Sequence, residues 1–213
     1  MTDARRQGEE CMIRLGVLIS GSGTNLQALI HAIQCGMLDA KIVLVISSKP
    51  DAYGLVRAYE AGIPTMALGP EVYRERLEAD TFIARELVKA GAEYVVMAGY
   101  MRMVNQPILD AFPNRIINIH PALLPSFKGA HAILDAYTAG VKVTGVTVHV
   151  ANAKYDEGPI IAQRAIVVKE DDTIESLEEK IHAVEHELYP YALQLIAAGR
   201  VSIDASGKVH ISD

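Results

Sequence analysis

The run Ile13 to Ile19 is nearly all apolar and breaks off at once into Ser20-Gly-Ser-Gly-Thr-Asn25. Beyond it Leu26, Leu29, Ile30, Ile33 and Met37 recur at helical spacing, with Gly36 near the end. A strand buried on both faces shows no alternation, and a glycine turn leading into a 3.6-residue period predicts a helix as its continuation. This strand–turn–helix unit constrains the fold more than any other feature, because such a strand needs covered faces and parallel neighbours. The rhythm continues with a strand at Lys41 to Ser48, a helix from Ala52 to Ala61 stopped by Gly62 and Pro64, and a short strand at Thr65 to Leu68. A long helical pattern runs from about Tyr73 to Ala90, and Tyr94 to Ala98 and Arg115 to Ile119 supply two more strands. Short strands alternating with helices predict an α/β fold, a doubly wound and mostly parallel sheet with helices on both faces.

After Gly140 the pattern changes. Val143–Val150 and Ile160–Val168 are strand-like, and the loop between them is too short for a crossover helix, so an antiparallel pair is expected beside the parallel strands. Asp172-Thr-Ile-Glu175 then resembles a capping box with an acidic cap, opening a long helix with a stripe of Ile174, Leu177, Ile181, Val184, Leu188 and Leu195. Pro190 is expected to kink that helix. No linker-like composition divides residues 13–213, which read as one domain, and residues 1–12 read as a flexible tail with charges of both signs and no apolar signal core.

The net charge of −6 gives no field to draw in a polyanion, so no nucleic-acid partner is expected. No apolar run approaches the ~18 residues of a membrane span. Cys11 and Cys35 form no paired framework, which is the usage of a reducing, cytoplasmic compartment.

Three places could carry chemistry. The turn Gly21-Ser22-Gly23-Thr24-Asn25 would expose backbone N–H groups at a helix start, a seat for an anion. Leu26 stands where a dinucleotide fingerprint needs a third glycine, and the lysine of a Walker loop is missing, so a single phosphate monoester fits better. A tight structural turn is the other reading. Asn118 and His120 lie two apart at the end of a strand, so their side chains share a face at the carboxyl edge of the sheet, where ligands bind in open α/β folds. Asp156 lies in a loop between the two late strands and matters only if the fold carries it to His120, where its charge would favour the imidazolium. His31, His182 and His210 have no ligand-spaced partners, and no metal site is expected.

The stretches VLISGSGTNLQALI, VMAGYMRMV, NIHPALLPSFKGAHA, TVHVANAKYDEGPIIAQ and EHELYP, in order from about Ile13 to Leu195, resemble the folate-dependent formyltransferases. The SGSGTNLQ turn is most similar to the branch that acts on a phosphoribosylated glycinamide. The resemblance implies a Rossmann-like formyltransferase fold. It also implies transfer of a formyl group from 10-formyltetrahydrofolate, a cosubstrate, to the amine of 5-phosphoribosylglycinamide in purine biosynthesis, without a metal. Carried over by position, it makes Asn118, His120 and Asp156 catalytic, gives Gly23, Thr24 and Asn25 to the ribose phosphate, and gives Glu185 to the glycinamide substrate. Folate contacts would come from Arg76, from Met101, Arg102, Met103 and Val104, from Asn118, and from the loop Asn152, Ala153, Lys154, Tyr155 and Asp156. Relatives are monomers or homodimers, so either state is expected. Two other readings stand beside this one: a formyltetrahydrofolate deformylase, which shares the trio but usually carries an extra N-terminal domain, and a non-catalytic phosphate-binding module.

Overall fold

A computed structural model describes residues 12–212. The tail expected over residues 1–12 lies, but for Met12, outside the described residues. Seven strands form one sheet in the order β3-β2-β1-β4-β5-β6-β7. They are β1 (Ile13–Ile19), β2 (Ala40–Ser47), β3 (Thr65–Ala67), β4 (Tyr94–Met97), β5 (Ile116–His120), β6 (Val143–Val150) and β7 (Ile160–Val167). β3, β2, β1, β4 and β5 pair in parallel, whereas β6 runs antiparallel to both β5 and β7. The mostly parallel, doubly wound sheet with antiparallel late strands is the one the apolar runs specify.

Helices cover both faces because the strands are apolar on both. Leu15, Val17 and Ile19 of β1 join one core with α1 (Thr24–Gln34), α2 (Tyr53–Glu60) and the long α6 (Ile174–Ala197). Leu18 of the same strand joins a second core with α3 (Arg76–Lys89) and α4 (Gln106–Ala111) on the opposite face. At Gly16 a Cβ would stand 2.3 Å from Leu87 Cδ2, so glycine leaves room for the Leu87 side chain of α3 against β1. The short α5 (Ala132–Thr138) precedes β6, and a hairpin of β8 (Val201–Ile203) and β9 (Val209–Ile211) follows α6.

Two local expectations need correction. The pattern from Tyr73 to Ala90 is not one helix: a 3-10 turn at Pro70–Arg74 ends in extended backbone at Glu75 (φ −110°, ψ 101°), and α3 begins at Arg76. Tyr73 leaves the helical stripe to lie under the Arg102 guanidinium, 3.6 Å from its ring centre. The cap of α6 is Thr173 rather than Asp172. Thr173 and Ser176 cap reciprocally, while Asp172 accepts from Lys180 and from the Lys169 backbone N–H. α6 runs through Pro190 without ending.

Candidate active site

In a sheet of this order, β1 is followed on one side by β2 and on the other by β4, so the connections leave in opposite directions and open a crevice beyond the carboxyl ends. A serine ties that crevice together: Ser20 Oγ accepts the Met101 backbone N–H at 2.9 Å and lies 2.6 Å from Ser48 Oγ, joining the chain beyond β1, β2 and β4. A cavity of about 410 Å³ fills it.

One end of the cavity is the glycine turn. Gly23 is left-handed (φ 71°, ψ 32°), and a Cβ there would come 2.6 Å from Gly54 Cα, where α2 closes on the turn. Both the conformation and the close approach require glycine. No side chain caps α1 and its first turn carries no acidic residue, so its leading N–H groups are free to meet an anion. Gly23, Thr24 and Asn25 all line the cavity, as does Lys49. The Asn25 amide donates to Glu185 Oε2 at 3.1 Å, while its own Oδ1 is buried without a partner.

Asn118, His120 and Asp156 meet at the other end. β5 extends one residue beyond expectation, so His120 is still within the strand and shares a face with Asn118. His120 Nε2 lies 2.8 Å from the Phe127 carbonyl, which can only accept, so that nitrogen carries a proton. Nδ1 faces Asp156 Oδ2 at 3.5 Å. Asp156 is itself buried and left-handed (φ 52°), and it accepts the Gly129 N–H at 2.9 Å. Two residues on, a Cβ at Gly158 would fall 1.6 Å from the Val150 carbonyl oxygen, so the loop can fold against the end of β6 only with glycine there.

A fourth member of this group escapes the sequence reading. His149 pairs with Asn118 across β5 and β6, and its Nε2 lies 3.1 Å from Asn118 Nδ2 and 3.7 Å from Asp156 Oδ1. Burial lowers its pKa below the ordinary histidine value, against the opposing pull of the Val150 carbonyl and Asp156. A neutral ring with Nδ1–H toward the Val150 carbonyl leaves Nε2 to accept from Asn118, which fixes the orientation of that amide. The signal was a histidine set between Val148 and Val150 in the buried end of β6.

His182, which has no ligand-spaced partner in the sequence, also lines the cavity. Its Nδ1 lies 2.9 Å from Glu185 Oε2, and the bond to Glu185 raises its pKa despite partial burial. Glu185 is buried and lies on α6, whose position is fixed by the Tyr189 hydroxyl, shared between the Met97 and Ile117 carbonyls at 3.1 and 2.9 Å.

The remaining expected residues scatter. Met101 and Arg102 border the cavity and also an adjoining cleft of about 210 Å³, which holds Arg76, Met103, Tyr73, Asp80 and Asn105. Val104 is buried in the second core and reaches a small recess shared with Asn118, Asn152, Lys154, Tyr155 and Asp156. Ala153 is exposed and lines none of these spaces. A larger hollow of about 700 Å³ lies between α1, α2 and α6 but contains none of the trio. Among the described residues no cluster of three His, Cys, Asp or Glu side chains could hold a metal ion, and no helix is long and apolar enough to cross a membrane.

The sequence matches the formyl transferase family over residues 13–193. It is 39% identical to the phosphoribosylglycinamide formyltransferase of Bacillus subtilis (strain 168), covering 86% of this chain and 94% of that protein. It is 44% identical to the trifunctional purine biosynthetic protein adenosine-3 of Gallus gallus over 92% of this chain, which spans about a fifth (20%) of that relative's length. The crystal structure of glycinamide ribonucleotide transformylase 1 from Symbiobacterium toebii superposes with a TM-score of 0.92 at 49% identity, covering 95% of each chain.

Proposed function

The chain belongs to the formyl transferase family, and we propose that it transfers a formyl group from 10-formyltetrahydrofolate to the amine of 5-phosphoribosylglycinamide. The observation that carries this reading is one cavity with an uncapped glycine-rich helix start at one end and Asn118, His120 and Asp156 at the other. That arrangement suits a substrate with a phosphate and a reactive amine held apart by a sugar.

The folate supplies a formyl group on nitrogen. Exposed Met101, Met103 and Tyr155 offer apolar surface beside the trio, and the Arg76 and Arg102 cations in the adjoining cleft suit the carboxylates of the folate tail. The protein's part is then positioning and charge stabilisation. Gly23, Thr24 and Asn25 hold the ribose phosphate, and Glu185 takes hydrogen bonds from the body of the ribotide. Asn118 gives one amide N–H to His149 and keeps the other for the formyl oxygen as negative charge develops there. The His120–Asp156 pair, with the Nε2–H committed to Phe127 and a proton held between Nδ1 and the carboxylate, relays the proton of the attacking amine. The proton passes on to the departing nitrogen.

The test is to incubate the protein with 10-formyltetrahydrofolate, with and without the ribotide. Tetrahydrofolate is expected only when the amine is present. Equal release without it would make the protein a deformylase, and no release from folded protein would leave a binding module.

A further inference from the structure

Beyond β4 the chain turns at Gly99 (φ 76°) and crosses from Met101 to Asn105 without regular structure before α4 begins. Among the described residues none of the N–H groups of this strap bonds to a backbone carbonyl. Side chains hold its two ends instead. Ser20 Oγ accepts the Met101 N–H, and Asp80 Oδ2 on α3 accepts the Asn105 N–H at 2.6 Å and the Asn105 side-chain amide at 2.8 Å. Between those ends Val104 is sunk in the second core, while Met101 and Met103 stay exposed and Arg102 lies over the Tyr73 ring.

Asp80 is a buried charge that the formyl transfer does not use, only 3% exposed. Burial raises its pKa, and the two Asn105 bonds and the Arg102 charge oppose that rise without cancelling it. A carboxylate in such a place costs stability that packing does not return, and its α3 neighbours Ala79, Ile83 and Ala84 are apolar. What the charge secures is the strap, through an acceptor strong enough to fix a backbone N–H that no sheet or helix takes up. We propose that Asp80 is a positioning residue for the formyl donor: through Asn105 it sets the path of residues 101–105, and so the affinity for the folate, without touching either substrate. The inference rests on that strap meeting the folate. The two donors share one oxygen, so Asp80→Asn can keep both bonds through its amide oxygen and loses only the charge. Asp80→Ala leaves the Asn105 N–H without its acceptor and frees that end of the strap. The glycine turn and Glu185 at the ribotide end are held by other contacts.

The test is steady-state turnover with each substrate varied in turn, beside calorimetric titration of tetrahydrofolate alone. Asp80→Ala is expected to raise the folate KM and to weaken tetrahydrofolate binding about tenfold, with kcat and the ribotide KM within about threefold of wild type. Asp80→Asn restores most of the affinity. Asn105→Ala, which loses one of the two bonds, raises the folate KM about threefold and adds nothing further to Asp80→Ala. If Asp80→Ala does not fold, an unchanged folate KM in Asn105→Ala overturns the inference. A residue that serves folding alone would leave both KM values unchanged or move both together, and either result overturns it. So does a loss in Asp80→Asn as large as in Asp80→Ala, which would put the charge itself on the ligand. Weaker tetrahydrofolate binding in Asp80→Ala, in a protein that fails to formylate the ribotide, supports the role of Asp80 and removes the reaction. Formylation with tetrahydrofolate affinity unchanged in Asp80→Ala keeps the reaction and removes the inference. No tetrahydrofolate binding by the wild type removes both.

Discussion

His120 sits between two acceptors, the Phe127 carbonyl and the Asp156 carboxylate, and that placement is what separates it from a histidine packed for shape. On the proposed mechanism His120→Ala removes the ring of the proton relay, and Asp156→Asn removes its charge while keeping the side chain's size. Each is expected to lower kcat about a hundredfold or more with a smaller change in either KM, measured by steady-state turnover. Turnover within a few-fold of wild type in both variants would sink the role. At this scale the sequence was informative where residue type and position coincided. Asn118 and His120 could be paired from the strand period alone, whereas the contact with Asp156 depends on a left-handed residue and a Gly158 packed on a carbonyl, neither of which leaves a periodic trace. His149 and His182 were missed for a related reason. Each acts through a partner in another part of the structure or one helical turn away, and an isolated histidine in a sequence does not show its partner.

Elements place these side chains, and two of them do so through single contacts. The glycine turn is the first. Gly23→Ala puts a methyl 2.6 Å from Gly54 Cα at a left-handed residue, so the turn or α2 must shift. The KM for the ribotide is expected to rise about tenfold or more, well beyond any change for the folate, and equal effects on both would count against the phosphate seat. The second is α6. Tyr189→Phe leaves the Met97 and Ile117 carbonyls without their shared donor, in a side chain that is wholly buried. A loss of about 1–3 kcal/mol in unfolding free energy is expected in denaturant titration, and a loss below a few tenths would mean the hydroxyl does not anchor the helix. The long elements were legible because their patterns repeat over several turns or a whole strand. The seven residues of α5, the six of α4 and the three-residue strands of β8 and β9 are too short for a period to emerge. Tyr73 misled because a tertiary contact with Arg102 outweighed a local pattern that continued the helix.

At the scale of the whole molecule, strand order converts local patterns into a site. The parallel rhythm announces covered strands, but only the order β3-β2-β1-β4-β5 makes the chain depart from β1 in two directions and leaves the crevice between β1 and β4. The glycine turn, β5, the Asp156 loop and α6 come from four separated parts of the sequence and meet there. A ligand bridging them joins elements from both halves of the chain and binds the folded state alone. Ribotide at a hundred times its dissociation constant should therefore add about 2.7 kcal/mol to stability. For a domain of this size that is a rise in Tm of roughly 5–11 °C. Thermal unfolding with the ribotide should show that rise in the wild-type protein and much less of it in Gly23→Ala at the same concentration, because the variant's weaker binding shrinks the logarithm. A Tm unmoved in the wild type by ribotide at concentrations that saturate turnover would mean that the phosphate and the trio are not engaged by one molecule in one cavity.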